Sequence, residues 1–435
     1  MLQENHVVGI FEGPWDTGHS ARDGAVLGFE DIYRAFAETA ATGGFKLFRA
    51  DIKLFTDYRR IRDFLAGCDT VYANCGPWAA LLFVVREREQ LDVRIIREIR
   101  TVGWIGYIWQ EAVAAKLERP TDQRLFPSEY ARSIWSDAAP GVSATRVYYP
   151  MTRRVSHSSA KREGGTVGFF SALSQDKGFN RLPLLISRMR NAGHRVDRLV
   201  LAGERRDALL FQRVTQELRD LNVGVDFRGG LPNEEVRRVM TACDCVFFLS
   251  VSSIESLGRI ILEAHEQSVP VITGDFGAAR NLVHSAYRIP VQYFEPLPRA
   301  SDGAHPIATL ALENWRPPKR LTVENCYTGA AGDYLVEAQS PADILLPPLP
   351  SRPTAKLPLC LSVQESGGAL TLAEKLLDDP DSMQGLAAHE LLDLGGALKE
   401  FLLSQGYNPL VTFTAVERED TGTNTIEPVA VSRQA

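Results

Sequence analysis

Apolar positions along this chain alternate between two rhythms. Short continuous apolar runs of strand length occur at His6 to Phe11, Phe45 to Ala50, Thr70 to Ala73, Val93 to Ile99, Arg124 to Phe126 and Arg146 to Tyr149. Between them, apolar residues recur at helical spacing over Arg22 to Thr39, Asp57 to Ala66, Pro77 to Glu89 and Ser128 to Ser136. In the first of these, Val26, Leu27, Phe29, Ile32, Tyr33 and Phe36 fall on one face. A polar stretch from Met151 to Gly165 interrupts the pattern, which then restarts. Strands are predicted at Thr166 to Phe170, Arg198 to Ala202, Val223 to Phe227 and Cys245 to Leu249, with helices at Gly178 to Ala192, Asp207 to Leu221 and Asn233 to Ala242.

Strand–helix alternation at this pitch predicts parallel sheets covered on both faces. The restart predicts two of them. The fold class is therefore α/β, with two Rossmann-like doubly wound domains facing a cleft at the carboxyl ends of their strands. The expected boundaries are 1–150 for the first domain, 151–165 for a linker and 166–286 for the second domain. Residues 287–366, rich in Pro and Leu with stretches such as LLPPLPSRP, read as a loop-rich insertion. Helical pattern resumes in 367–416, where Gly395 to Gly406 fits a helix crossing back to the first domain. The polar tail 417–435 reads as mobile.

Composition narrows the function classes. The 435 residues are 45% hydrophobic and 23% charged, as in ordinary globular proteins, and the net charge of -6 gives no field for nucleic acid or anionic lipid. The longest apolar run, Ala79 to Val85, is far short of the ~20 residues that span a bilayer. The polar start, Met1 to His6, does not read as a signal peptide, so the expected location is cytoplasmic. Six scattered cysteines without a C-x-x-C pair read as free thiols rather than a zinc site or disulfide framework. No G-x-G-x-x-G follows a strand, which disfavours a nicotinamide dehydrogenase.

The densest chemistry lies after the Cys245 to Leu249 run. A short polar loop leads to Glu255-Ser256-Leu257-Gly258, predicted to open a helix running to about His265, and Pro270-Val271-Ile272 begins another strand. Glu255 and Glu263 are eight residues apart, on the order of 12 Å along a helix. Two acids at that spacing are common and by themselves read as a dipole-favoured acid and a surface acid. Within the strand–loop–helix–strand frame, however, Ser252, Glu255, Gly258, Glu263 and Pro270-Val271-Ile272 resemble the signature of family-4-like retaining, nucleotide-sugar-dependent glycosyltransferases with the GT-B fold. Further positions resemble that family: Asp176-Lys177-Gly178 after the first strand of the second half, Leu199 to Gly203, Val225 to Gly229, Cys243-Asp244, and the turn Thr273 to Gly277. Three departures stand beside them. Ala172 occupies the place of the family's arginine, Arg100-Thr101 that of its histidine, and the first loop reads Gly13-Pro14-Trp15 in place of paired glycines.

The resemblance implies transfer of a sugar from a nucleotide-diphosphate donor to a hydroxyl acceptor, which could be a glycan, a glycolipid or a small natural product. It implies Glu255 and Lys177 as catalytic residues; Arg100, at the end of its strand where it could reach the cleft, is the third catalytic candidate. Donor binding would fall to Glu263, Ser256, Leu257, Gly258, Lys177, Gly203 and Arg205, with Arg206 an alternative to Arg205. Unengaged helix amides over Ser256 to Gly258 would receive the diphosphate. Asp16 and His19, in the loop after the first strand, would contact the acceptor; read bare, they are also ordinary turn and cap residues. No metal and no cofactor are expected, and a homo-oligomer is compatible with the sequence. Two other classes fit the same residues: a sugar- or partner-binding subunit without turnover, and a nucleotide-sugar epimerase.

Overall fold

The computed structural model describes residues 6–11, 24–50, 58–74, 77–99, 117–132, 145–147, 164–251, 255–293, 308–336 and 344–345. The first domain runs β1 (Val7–Phe11), α1 (Gly24–Ala41), β2 (Lys46–Arg49), α2 (Tyr58–Ala66), β3 (Thr70–Asn74), α3 (Pro77–Arg88), β4 (Arg94–Glu98), β5 (Gln123–Phe126) and β6 (Thr145–Val147). Its six strands lie in the order β2-β1-β3-β4-β5-β6, every neighbour parallel. Helix α2 shows why the segments fold locally as they do. Ile61, Phe64 and Leu65 fall on its buried face while Arg59 and Arg60 stay in solvent.

The second domain runs β7 (Thr166–Phe170), α4 (Leu182–Asn191), β8 (Arg198–Ala202), α5 (Ala208–Asp220), β9 (Gly224–Phe227), α6 (Asn233–Met240), β10 (Cys245–Phe248), α7 (Arg259–Glu266), β11 (Val271–Gly274), α8 (Ala279–Leu282) and β12 (Arg288–Ile289). These six strands are also parallel, in the order β12-β11-β10-β7-β8-β9. The chain therefore leaves β7 in one direction, returns, and leaves it in the other. The crevice outside the carboxyl ends of β7 and β10 is the topological switch point, where open α/β sheets bind ligands.

Most predicted strands and helices lie within a residue or two of the observed ones. Two helices start late; in the first, the segment expected to be helical from Gly178 begins with a 3-10 turn, Phe179–Arg181, and α4 starts only at Leu182. Pro183 in the first turn of α4 suits that start, because the missing N–H would find no partner there in any case.

The described part of the segment read as a loop-rich insertion, up to Val336, packs into the second domain. After β12 come β13 (Val291–Tyr293), β14 (Ala308–Leu310), α9 (Val323–Cys326) and α10 (Gly329–Val336). Strands β13 and β14 pair antiparallel. Tyr287, Leu310, Leu312, Trp315, Cys326 and Tyr327 belong to the main core of this domain. The Tyr287 hydroxyl donates to Arg320 O at 2.9 Å and accepts from Thr322 N at 2.9 Å. The Val271 N–H donates to Cys326 Sγ at 3.2 Å, and the Tyr327 hydroxyl donates to Val269 O. These anchors stand singly among prolines and polar residues, so no periodicity announces them. Further on, Ile344 and Leu345 are buried in the core of the first domain beside Ile96 and Leu125, and Arg94 Nη1 donates to Leu345 O. The chain is thus back at the first domain by 344–345. Gly395 to Gly406, expected to make that return, lies outside the described residues, as do 367–435 and most of the linker.

Candidate functional site

The loop after β7 is drawn against the end of β10. Gly178 has a left-handed φ of 75°, and a Cβ there would lie 2.5 Å from Leu249 Cβ and 2.6 Å from Leu249 O. Only glycine tolerates both the conformation and the approach. The neighbouring Lys177 is thereby carried across the switch point to the loop after β10. Its Nζ lies 2.9 Å from Glu255 Oε2 and 3.4 Å from Ser250 Oγ. Both side chains are partly open to solvent, at 19% and 21% of their area.

Burial opposes the charge on each partner, and the pairing overcomes it. For Lys177 the desolvation cost is outweighed by the Glu255 carboxylate and its hydrogen bond, so the ammonium pKa is raised above its ordinary value. For Glu255 desolvation is likewise outweighed by Lys177, helped by hydrogen bonds from Ser250 and the Gly258 N–H, so the carboxyl pKa is lowered. The site therefore presents an ammonium and a carboxylate, both ionised over the neutral range.

The helix after this loop begins later than the sequence suggested. Residues 255–258 are not helical; α7 starts at Arg259, with Gly258 as its N-cap at a left-handed φ of 71°. A Cβ at Gly258 would lie 2.6 Å from Phe248 Cε1, so this position too needs glycine. The Gly258 N–H, expected to be open to a ligand, donates to Glu255 Oε1 at 3.1 Å. Among the described residues no hydrogen bond engages the Ser256 or Leu257 N–H. Two of the three expected amides are thus unengaged, and the third is held by the loop's own acid.

Glu263 faces the start of α6. It is 4% exposed, and its Oε1 accepts from Asn233 Nδ2 and from Arg259 Nε, both at 2.9 Å. These donors from two elements orient the carboxylate at the carboxyl end of the sheet. Gly203 ties the neighbouring crests together: its N–H donates to Gly229 O at 2.9 Å, and Leu173 N–H donates to Glu204 O at 2.8 Å. A Cβ on Gly203 would lie 1.8 Å from Ser171 O. Arg205 turns away onto Phe211, 5.6 Å from the ring centroid. Arg206 Nε lies 3.2 Å from Glu204 Oε2, on the surface.

One residue that sequence reasoning passed over belongs to this loop. Ser128, in the first domain, is buried and donates from Oγ to Ser256 O at 2.5 Å, while accepting from Ala131 N–H at 3.0 Å. Around it Tyr130 packs against Phe276 at 6.4 Å between ring centroids, and Glu129 N–H donates to Tyr334 Oη at 3.3 Å. The sequence marks Ser128 as the start of a helix, which the Ala131 contact satisfies. Nothing local marks its partner in the other domain. Arg100, Asp16 and His19 lie outside the described residues. Cys68, Cys243, Cys245 and Cys326 are buried and in no disulfide, and among the described residues no helix is long and apolar enough to cross a membrane.

A cation, an acid and unengaged amides thus meet at the switch point of the second sheet, an arrangement suited to a phosphorylated ligand. Residues 154–310 match the family model of the glycosyl transferases group 1. The matched segment holds Lys177, Gly203, Glu255, Gly258 and Glu263, in a chain with two six-stranded parallel α/β sheets. No curated protein sequence matches the chain. Among solved structures, HepE from Anabaena in complex with UDP is similar at 16% identity and a TM-score of 0.49, covering 87% of this chain and 100% of that one. A glycosyltransferase from Rickettsia africae is similar at 10% identity and a TM-score of 0.47, covering 92% and 98%. The pneumococcal O-GlcNAc transferase GtfA, in complex with UDP and GlcNAc, is similar at 12% identity and a TM-score of 0.42, covering 79% and 60%.

Proposed function

We propose that the chain is a retaining glycosyltransferase, moving a hexosyl or pentosyl group from a nucleotide-diphosphate donor to a hydroxyl acceptor on a saccharide, lipid-linked or small molecule. The observation that carries this reading is the Lys177–Glu255 pair at the β7/β10 switch point, inside the segment that matches the group 1 model. Breaking the bond between sugar and diphosphate places negative charge on the departing phosphate and positive charge on the sugar. Lys177, with the Ser256 and Leu257 amides, would stabilise the first. Arg206 would add to that field, and Arg205 would take part only after leaving Phe211. Glu263, already oriented by Asn233 and Arg259, would accept from the ribose hydroxyls. Glu255 would bind a sugar hydroxyl, and Gly203 would let the loop crests pack tightly behind the donor.

Arg100, Asp16 and His19 are proposed to act from the first domain, Arg100 on the reacting centre and the other two on the acceptor. Attack on the same face as the leaving group would retain configuration. The ammonium of Lys177 would supply charge stabilisation without a metal, in a location proposed to be the cytoplasm. Ala172, in the place of a second cation, favours a second reading in which the protein binds the donor but does not turn it over.

Incubation with uridine, guanosine and adenosine diphosphate sugars, with release of the nucleoside diphosphate as the readout, tests both. Release with one donor and a fall of at least about 100-fold in Lys177→Ala is expected, in line with loss of one preorganised charge-stabilising group. Glu263→Ala should raise the KM for the donor. Binding without release would favour the second reading, and equal activity of Glu263→Ala and wild type would sink the ribose assignment.

A further inference from the structure

We propose that Ser128 is a positioning residue for the donor diphosphate, acting from the first domain by orienting the Ser256–Leu257 peptide. The inference rests on the proposed function and names a residue outside the segment that carries the family match. Ser128 Oγ donates to Ser256 O across 128 positions of sequence, and both residues are buried. Ser256 lies between Glu255, paired to Lys177, and Gly258, whose N–H is held by Glu255. In a trans peptide the carbonyl and the following N–H point in opposite directions. Pinning the Ser256 carbonyl onto Ser128 therefore turns the Leu257 N–H away from Ser128, and among the described residues nothing else engages it.

A hydroxyl suits the position because one side chain must donate to Ser256 O and accept from Ala131 N–H at once. Alanine does neither. Threonine does both, and cysteine does both weakly. The Tyr130–Phe276 and Glu129–Tyr334 contacts hold the Ser128 turn against the second domain, so the hydroxyl reaches the loop only while the two domains are docked. The donor loop thus receives its peptide orientation from the opposite domain.

Calorimetric titration of the full chain with uridine, guanosine and adenosine diphosphates, and with the three parent nucleosides, tests this. For the base that wild type binds, Ser128→Ala should weaken the diphosphate about 10-fold, the equivalent of roughly 1.4 kcal/mol. Nucleoside affinity should stay unchanged, and Ser128→Thr should restore the diphosphate. Should the alanine variant fail to fold, Ser128→Cys, close in shape, is expected to show a smaller loss with the same selectivity. Unchanged diphosphate affinity, or equal losses for diphosphate and nucleoside, would overturn the inference and leave the proposed function standing. A wild type that binds none of the diphosphates would overturn the proposed function, and this inference with it.

Discussion

Lys177 and Glu255 each offset the other's desolvation, and that coupling has a pH signature. Glu255 has a lowered folded pKa, so its contribution is fully present above the unfolded value of about 4.3. It is lost as pH falls through the lower folded value. Lys177 has a raised folded pKa, so its contribution is present below about 10.4 and is lost as pH rises through the higher folded value. Replacing both, as Lys177→Met with Glu255→Gln, should cost about 1.5–3 kcal/mol of unfolding free energy across the neutral plateau, as for a charge-assisted hydrogen bond. Denaturant titration from about pH 3 to about pH 9 should show wild type and double variant converging on the acid side of about pH 4.3. A gap that stays constant through the acid range would show that the pair contributes nothing by charge. Both residues were legible in the sequence through the signature they resemble, since identity and spacing alone leave them ordinary. Their mutual contact was not, because it joins loops on two different strands.

At the scale of elements, the strand–loop–helix unit from β10 to α7 depends on glycine more than on hydrogen-bonded capping. Gly258 caps α7 without a side-chain bond, in a left-handed conformation and pressed on Phe248. Gly258→Ala should therefore destabilise the second domain by about 1–3 kcal/mol through backbone strain and overpacking. It should also displace Glu255, because the Gly258 N–H holds that carboxylate. Thermal unfolding with donor binding reads both effects, and an alanine variant that matched wild type in both would refute the account. The strand and helix of this unit were legible in sequence, since CVFF is continuously apolar and α7 buries Ile260, Ile261 and Leu262. The start of α7 was not. Glu255 resembles a first-turn acid, yet it folds back on its own loop.

For the whole molecule, the two domains are joined by more than the linker. Ile344 and Leu345 follow the last described helix of the second domain and complete the core of the first. Leu345→Ala should cost about 2–5 kcal/mol, as for a buried large-to-small change. The loss should appear in the unfolding of the first domain, followed by hydrogen exchange at β1, β3 and β4. Loss confined to the second domain would contradict the packing. Periodicity and apolar runs determined by themselves the two parallel α/β halves and the restart between them, and the resemblance to a glycosyltransferase signature marked Lys177, Glu255, Gly258 and Glu263 as the residues to watch. Those features are local, and chain physics writes them into neighbouring positions. Tertiary structure alone decided that Ser128 meets Ser256, that Arg205 lies over Phe211, and that Tyr287, Leu310, Leu312, Trp315, Cys326 and Tyr327 join the core of the second domain. Each of these turns on a contact that packing selects and no local pattern records.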